Sequence, residues 1–280
     1  MSALPTPFFL DLSGSRRFAV HHAPSGAVDT WGQILCVPAF NEEMNRCRGM
    51  LTLQARALAE QGVGTLLVDL HGTGESDGVH GDARWENWRA DIAAGIDWLD
   101  GQPGGCIGLL GVRLGVALAA EALGNTTATG RALIAWQPVI DGKNYLTQFM
   151  RMRIAGNMDR TDIPKETTAD MRATLAAGRS IEIAGYEIHP ALTSAIEGSR
   201  LSRIVPPPAT PIAWFEKKTG AGDELPPASA ATIEQWRSHG LPVTAQVFDG
   251  PPFWAVHDRA NAPALIEQTT AWIGGLRDTR

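Results

Sequence analysis

The residues Gly111, Val112, Arg113, Leu114 and Gly115 form the clearest chemical pattern in the chain. They follow the apolar run CIGLL at 106–110 and pass without a break into VALAAEAL, a strong helix former. The segment therefore reads as strand, sharp turn and helix. That is the setting of a Gly-x-Ser-x-Gly turn, where small residues on either side let a strained central residue project from the top of a sheet. Glycines at such a turn also serve packing alone. The central residue here is Arg113. A guanidinium stays protonated and can neither attack a carbonyl nor act as a general base, so acyl-enzyme chemistry of the serine type is excluded at this position. A fixed cation beside a helix N-terminus suits a bound anion. An arginine held internally by Glu42, Glu43 or Asp223 would instead neutralise a site without chemistry. Both readings stand on the sequence.

Glu42 and Glu43 lie in AFNEEMN, directly after the apolar run QILCVP. Acidic residues suit the first turn of a helix, which is one account of the pair. The other is catalytic: a glutamate that activates water against a carbonyl polarised by Arg113, with no covalent intermediate. Cys36, Cys47 and Cys106 are odd in number and fall on two apolar strands and a helix start, which is no disulfide framework or zinc site; Cys36 and Cys106 read as small core fillers, and Cys47 as a filler or a thiolate favoured by the helix dipole. No metal or other cofactor is expected. The 280 residues carry 24 basic and 30 acidic side chains, a net charge of −6, with no Lys/Arg run that could track a nucleic-acid backbone or an anionic membrane. Neither a basic-then-apolar leader nor a span of roughly 20 apolar residues is present. A cytoplasmic protein without nucleic-acid partners is expected, its assembly state left open, a homodimer included.

Short apolar runs bounded by Gly or Pro alternate with stretches of helical period, which predicts an α/β protein with a mostly parallel sheet covered on both faces. Strands are expected at 17–22, 33–38, 63–69, 106–110, 131–136, 210–216 and in LPVTAQVFDG; helices are expected at 44–61, 83–99, from 115, in ASAATIEQWRSHG and from 263 to 276. The gap between the strands at 131–136 and 210–216 is too long for a plain crossover. Its mainly helical content predicts a cap inserted at 137–208, over a core formed by 1–136 and 209–280.

Several segments together resemble the α/β-hydrolase superfamily and, within it, the exosortase A system-associated hydrolase of the second ortholog type. They are VPAFNEEMNRCRGM, DLHGTGESDG, DARWENW, GVRLG, WQPVIDGKNYLTQFMRMR, AGYEIHPAL and GPPFW. The resemblance covers nearly the whole chain. It implies a bacterial hydrolase or acyltransferase of the ester or thioester class, encoded with machinery for surface-protein sorting and extracellular polysaccharide. A binding or scaffold protein recognising an anionic or acyl ligand is the alternative. The resemblance also locates the other site positions. Asp223 in GAGDELPP matches the loop of the triad acid, or is a solvated turn carboxylate. His257 lies in the loop expected for the base but several residues beyond its place, which PPFW occupies. Phe40 and Asn41 with Leu114 are the candidate backbone donors of an oxyanion hole.

Overall fold

In a computed structural model of the chain, residues 4–279 are described, other than 13, 25, 27, 126–129, 161, 163, 221 and 257. The chain begins with an antiparallel hairpin of β1 (Thr6–Leu12) and β2 (Ser15–His22). Next come β3 (Gly32–Val37), α1 (Glu42–Glu60), β4 (Val63–Val68), α2 (Trp85–Asp100), β5 (Cys106–Val112), α3 (Gly115–Gly124) and β6 (Ala132–Trp136). An insert then carries α4 (Gly142–Gly156), α5 (Thr168–Ala176), a hairpin of β7 (Ile181–Ile183) and β8 (Tyr186–Ile188), and α6 (Pro190–Gly198). The chain returns with β9 (Ile212–Lys217), α7 (Pro227–Ser238), β10 (Val243–Phe248) and α8 (Pro263–Gly275). Eight strands form one sheet in the order β1-β2-β4-β3-β5-β6-β9-β10. Only β2 runs antiparallel to its neighbours.

The central strands are buried and predominantly apolar, with Gln33 of β3 and Thr65 of β4 as polar exceptions, because both faces of the sheet are covered. In β3, Ile34 and Cys36 pack with Leu58 of α1 and Leu265 of α8, while Leu35 and Val37 pack with Trp88 of α2 and Val116 of α3. Leu146, Met150, Met171, Ile183, Leu192 and Ile196 of the insert are continuous with the second of these cores. The insert therefore rests on the α2 and α3 side of the sheet. No helix among the described residues is long and apolar enough to cross a membrane.

Two elements are additions to the sequence reading. The edge strand β1 buries only Leu10, so it lacks the apolar alternation that marks a half-buried strand. The β7–β8 hairpin lies within a stretch read as mainly helical. Its central residues, Ala184 and Gly185, have φ of 52° and 84°, the turn with two left-handed residues that joins twisted strands.

Candidate functional site

The turn after β5 is formed by close backbone approach. A Cβ on Gly111 would meet the Val116 backbone, and one on Gly115 would run into the Val37 and Pro38 carbonyls. Between them Arg113 holds a left-handed φ of 54°. Two further non-glycine residues do the same at the carboxyl ends of neighbouring strands: Asn41 (50°) beyond β3 and Gln137 (46°) directly after β6. Each such residue costs about 1–3 kcal/mol, which the surrounding packing must offset.

Arg113 is anchored on one side and open on the other. Its Nε donates to Glu43 Oε1 at 3.1 Å and Oε2 at 3.3 Å, and its Nη1 donates to the Gln137 carbonyl at 3.1 Å. The guanidinium lies 5.3 Å from the Trp254 ring centroid and 5.7 Å from that of Tyr145. Nη2 donates to no group among the described residues. The Tyr145 hydroxyl donates to Glu43 Oε2 at 2.8 Å, so Glu43 is gripped by a cation and a phenol at once. Burial nevertheless raises the Glu43 carboxyl above its ordinary value, against the opposing pull of Arg113 and Tyr145. The same burial pushes the Tyr145 hydroxyl well up.

A second carboxylate stands behind Gln137. Glu216, 2% exposed, accepts from the Ser229 hydroxyl at 2.5 Å, Trp214 Nε1 at 3.1 Å and Gln137 Nε2 at 2.6 Å. Burial raises its carboxyl too, opposed by these hydrogen bonds and by the charge of Arg113. Gln137 thus joins Arg113 through its backbone and Glu216 through its side chain. Neither Glu216 nor Gln137 is singled out in the sequence; the only signal is a lone carboxylate closing the apolar strand PIAWFE.

The remaining expected residues divide. Glu42 lies in the first turn of α1 with Glu43, but accepts from the Tyr186 hydroxyl at 3.2 Å and pairs with Arg46, away from Arg113. Asp223 is exposed and pairs with Lys218 Nζ at 2.7 Å; no contact brings it to Arg113. His257 lies outside the described residues. Phe40 is buried, its ring edge-on to Trp88, Tyr145, Phe149 and His80. The N–H groups of Phe40 and Leu114 donate to no described residue. Phe40, Asn41, Trp88, Leu114 and Gly115 enclose a cavity of about 10 Å³, room for one water at most. Trp136 and Trp214 are core residues, whereas Trp254 reaches the site. Burial pushes the Cys36 thiol up to about 12 and raises that of Cys47, as befits inert fillers.

His80, unmarked in the sequence, ties the insert to the loop after β3. Its Nδ1 lies 2.7 Å from the Glu187 carbonyl and its Nε2 lies 2.6 Å from Asn41 Oδ1, while Asn41 Nδ2 holds no partner among the described residues. Burial holds the imidazole below its ordinary value, which favours the neutral ring, and a neutral ring that donates to the Glu187 carbonyl carries its proton on Nδ1. Nε2 must then accept, which the amide group of Asn41 satisfies when its NH₂ faces the ring.

On its open side Arg113 borders a cleft of about 470 Å³ at the carboxyl edge of the sheet. Asp141, Asn144, Tyr145 and Gln148 at the start of α4, Arg200 and Ser202 beyond α6, and Ala228 in the first turn of α7 complete its walls.

This strand order, with an elbow after β5 and an insert after β6, is the α/β-hydrolase fold. Solved structures match over nearly the full length. Est1E from Butyrivibrio proteoclasticus with ferulic acid bound is 15% identical, covering 96% of this chain and 97% of that one, with a TM-score of 0.62. DcsB in complex with its substrate analogue is 17% identical over 98% and 99%, with a TM-score of 0.64. A soluble variant of monoglyceride lipase from Saccharomyces cerevisiae is 12% identical over 99% and 97%, also at 0.64. At these identities the likeness speaks for the fold. No family model matches the chain, and no curated protein matches it in sequence.

Proposed function

We propose that the protein recognises a small anionic ligand in the cleft over Arg113 and does so without an acyl-enzyme. The observation that carries this reading is the two-sidedness of Arg113: Nε is committed to Glu43, while the guanidinium borders the cleft with Nη2 holding no partner among the described residues. The position of the cleft supports it, since ligands of open α/β sheets bind beyond the carboxyl ends of the strands. Calorimetry with small carboxylates and sulfate should show binding that Arg113→Met abolishes; binding that survives the substitution would remove the reading. A fluorophosphonate probe should leave the native protein unlabelled.

A second reading, hydrolysis of a small ester or thioester, is favoured by the raised carboxyl of Glu43 at the elbow and by the free N–H groups of Phe40 and Leu114. Glu43 would take a proton from water as the water adds to the carbonyl, and return it to the departing alcohol or thiol as the C–O or C–S bond breaks. Glu43→Gln should then reduce nitrophenyl ester or acyl-CoA turnover by about 10²–10⁴-fold. Turnover indifferent to that change counts against it. The resemblance carried by WQPVIDGKNYLTQFMRMR and GPPFW supports a setting beside the exosortase and extracellular polysaccharide machinery. Loss of the gene should lower surface polysaccharide, and an unchanged yield would argue against that setting.

A further inference from the structure

Seven of the ten residues around the cleft over Arg113 carry side chains that can hydrogen-bond, although the surface they expose to it is polar and apolar in similar measure. Asp141, Asn144 and Gln148 follow one another at spacings of three and four, which puts them on one face of the start of α4. The side-chain amides of Asn144 and Gln148 and the hydroxyl of Ser202 hold no partner among the described residues. Arg200 stands on the facing wall. Its Nε pairs with Asp141 Oδ2 at 3.0 Å, its Nη1 donates to the Glu197 and Ser199 carbonyls, and its Nη2 is uncommitted among the described residues. Aliphatic lining comes only from Val139, Ile140 and Ala228. The first turn of α7 meets the cleft at Ala228, adding the positive end of a helix to the two guanidiniums. At about 470 Å³ the space is that of a small-molecule site.

We infer that the ligand is a small polyhydroxylated anion, a sugar acid or sugar phosphate in its chemistry, and not a fatty acyl group. This rests on the anion-binding reading above. The charge is held at Arg113, and the hydroxyls are held by Asn144, Gln148 and Ser202. An alkyl chain in the same place would strip water from these amides and the hydroxyl without replacing their hydrogen bonds, which is unfavourable.

Calorimetry on the intact protein with galacturonate, glucose 6-phosphate, glucose and hexanoate tests this. At least one of the two hydroxylated anions should bind, the pair telling carboxylate from phosphate. Glucose should not bind, and hexanoate should bind at least about tenfold more weakly. Asn144→Ala and Gln148→Ala, both at exposed positions, should each weaken the hydroxylated anion by about three- to tenfold and leave hexanoate unchanged. Hexanoate binding as tightly as the sugar anions, or wild-type binding by both alanine variants, overturns the inference while leaving anion binding at Arg113 intact. Absence of any anion binding, or binding that persists in Arg113→Met, overturns the reading beneath it as well.

Discussion

Arg113 and Glu43 form a pair whose side chains are 15% and 17% exposed, sheltered enough that each depends on the other. Replacing Arg113 by Met leaves a largely buried carboxylate held only by Tyr145. The expected loss is about 2–4 kcal/mol in urea unfolding. The double variant with Glu43→Gln should recover at least half of it, because no uncompensated charge remains; equal losses in the single and double variants would show that the two residues do not act as a pair. The raised Glu43 carboxyl has a consequence of its own. Between its ordinary value of 4.5 and its raised value, the folded protein holds more protons than the unfolded chain, so stability falls as pH rises through that window. Protonating Glu43 also frees positive charge on Arg113. Sulfate affinity should therefore increase as pH falls through the raised range of Glu43, and Glu43→Gln should flatten that profile. A pH-independent affinity in the native protein would disconnect Glu43 from the cleft. At this scale the sequence shows the elbow and its arginine through the glycine spacing, and offers Glu43 as one of three partners. It does not show Glu216, because a carboxylate closing an apolar strand looks the same whether it faces solvent or Ser229, Trp214 and Gln137.

Among the elements, the strands and helices of the sheet are legible because each buries a continuous face: CIGLL and ALIAW are apolar at every position, and QILCVP departs from this within its strand only at Gln33. The β7–β8 hairpin was hidden for a physical reason. Ile181, Glu182 and Ile183 alternate, as do Tyr186, Glu187 and Ile188, but the turn between them is Ala-Gly, and alanine is a poor occupant of a left-handed position. Ala184 is exposed and holds φ of 52°, so its methyl contributes strain without packing. Ala184→Gly or Ala184→Asn should stabilise the protein by about 0.5–1 kcal/mol. Hydrogen exchange of the β8 amides should slow in step, since β8 lies against the turn at 80–82 and His80. A destabilised variant would mean that the turn is held in a different conformation. The hairpin matters to the site because Glu187 fixes His80, and His80 fixes Asn41 in the loop after β3.

For the whole molecule, the fold is that of the α/β-hydrolases, and the residues around Arg113 come from several of its elements. The first turn of α1 contributes Glu43, the elbow Arg113, the residue after β6 Gln137, the end of β9 Glu216, and α4 Tyr145, all joined by hydrogen bonds. A site altered at one position could be reverted at that position; a site joined in this way should not be. Arg113→Ser places a hydroxyl at the elbow, but no described histidine contacts Arg113 or Glu216, Glu216 is already occupied by Ser229, Trp214 and Gln137, and Asp223 is paired with Lys218 at the surface. The hydroxyl would also face the Glu43 carboxylate without a cation. The substituted protein should therefore resist fluorophosphonate labelling and leave nitrophenyl acetate at its uncatalysed rate, with sulfate binding lost. Rapid labelling would show that a base and an acid are already poised at the elbow, His257 being the residue to test next, and that Arg113 alone separates this chain from covalent ester chemistry.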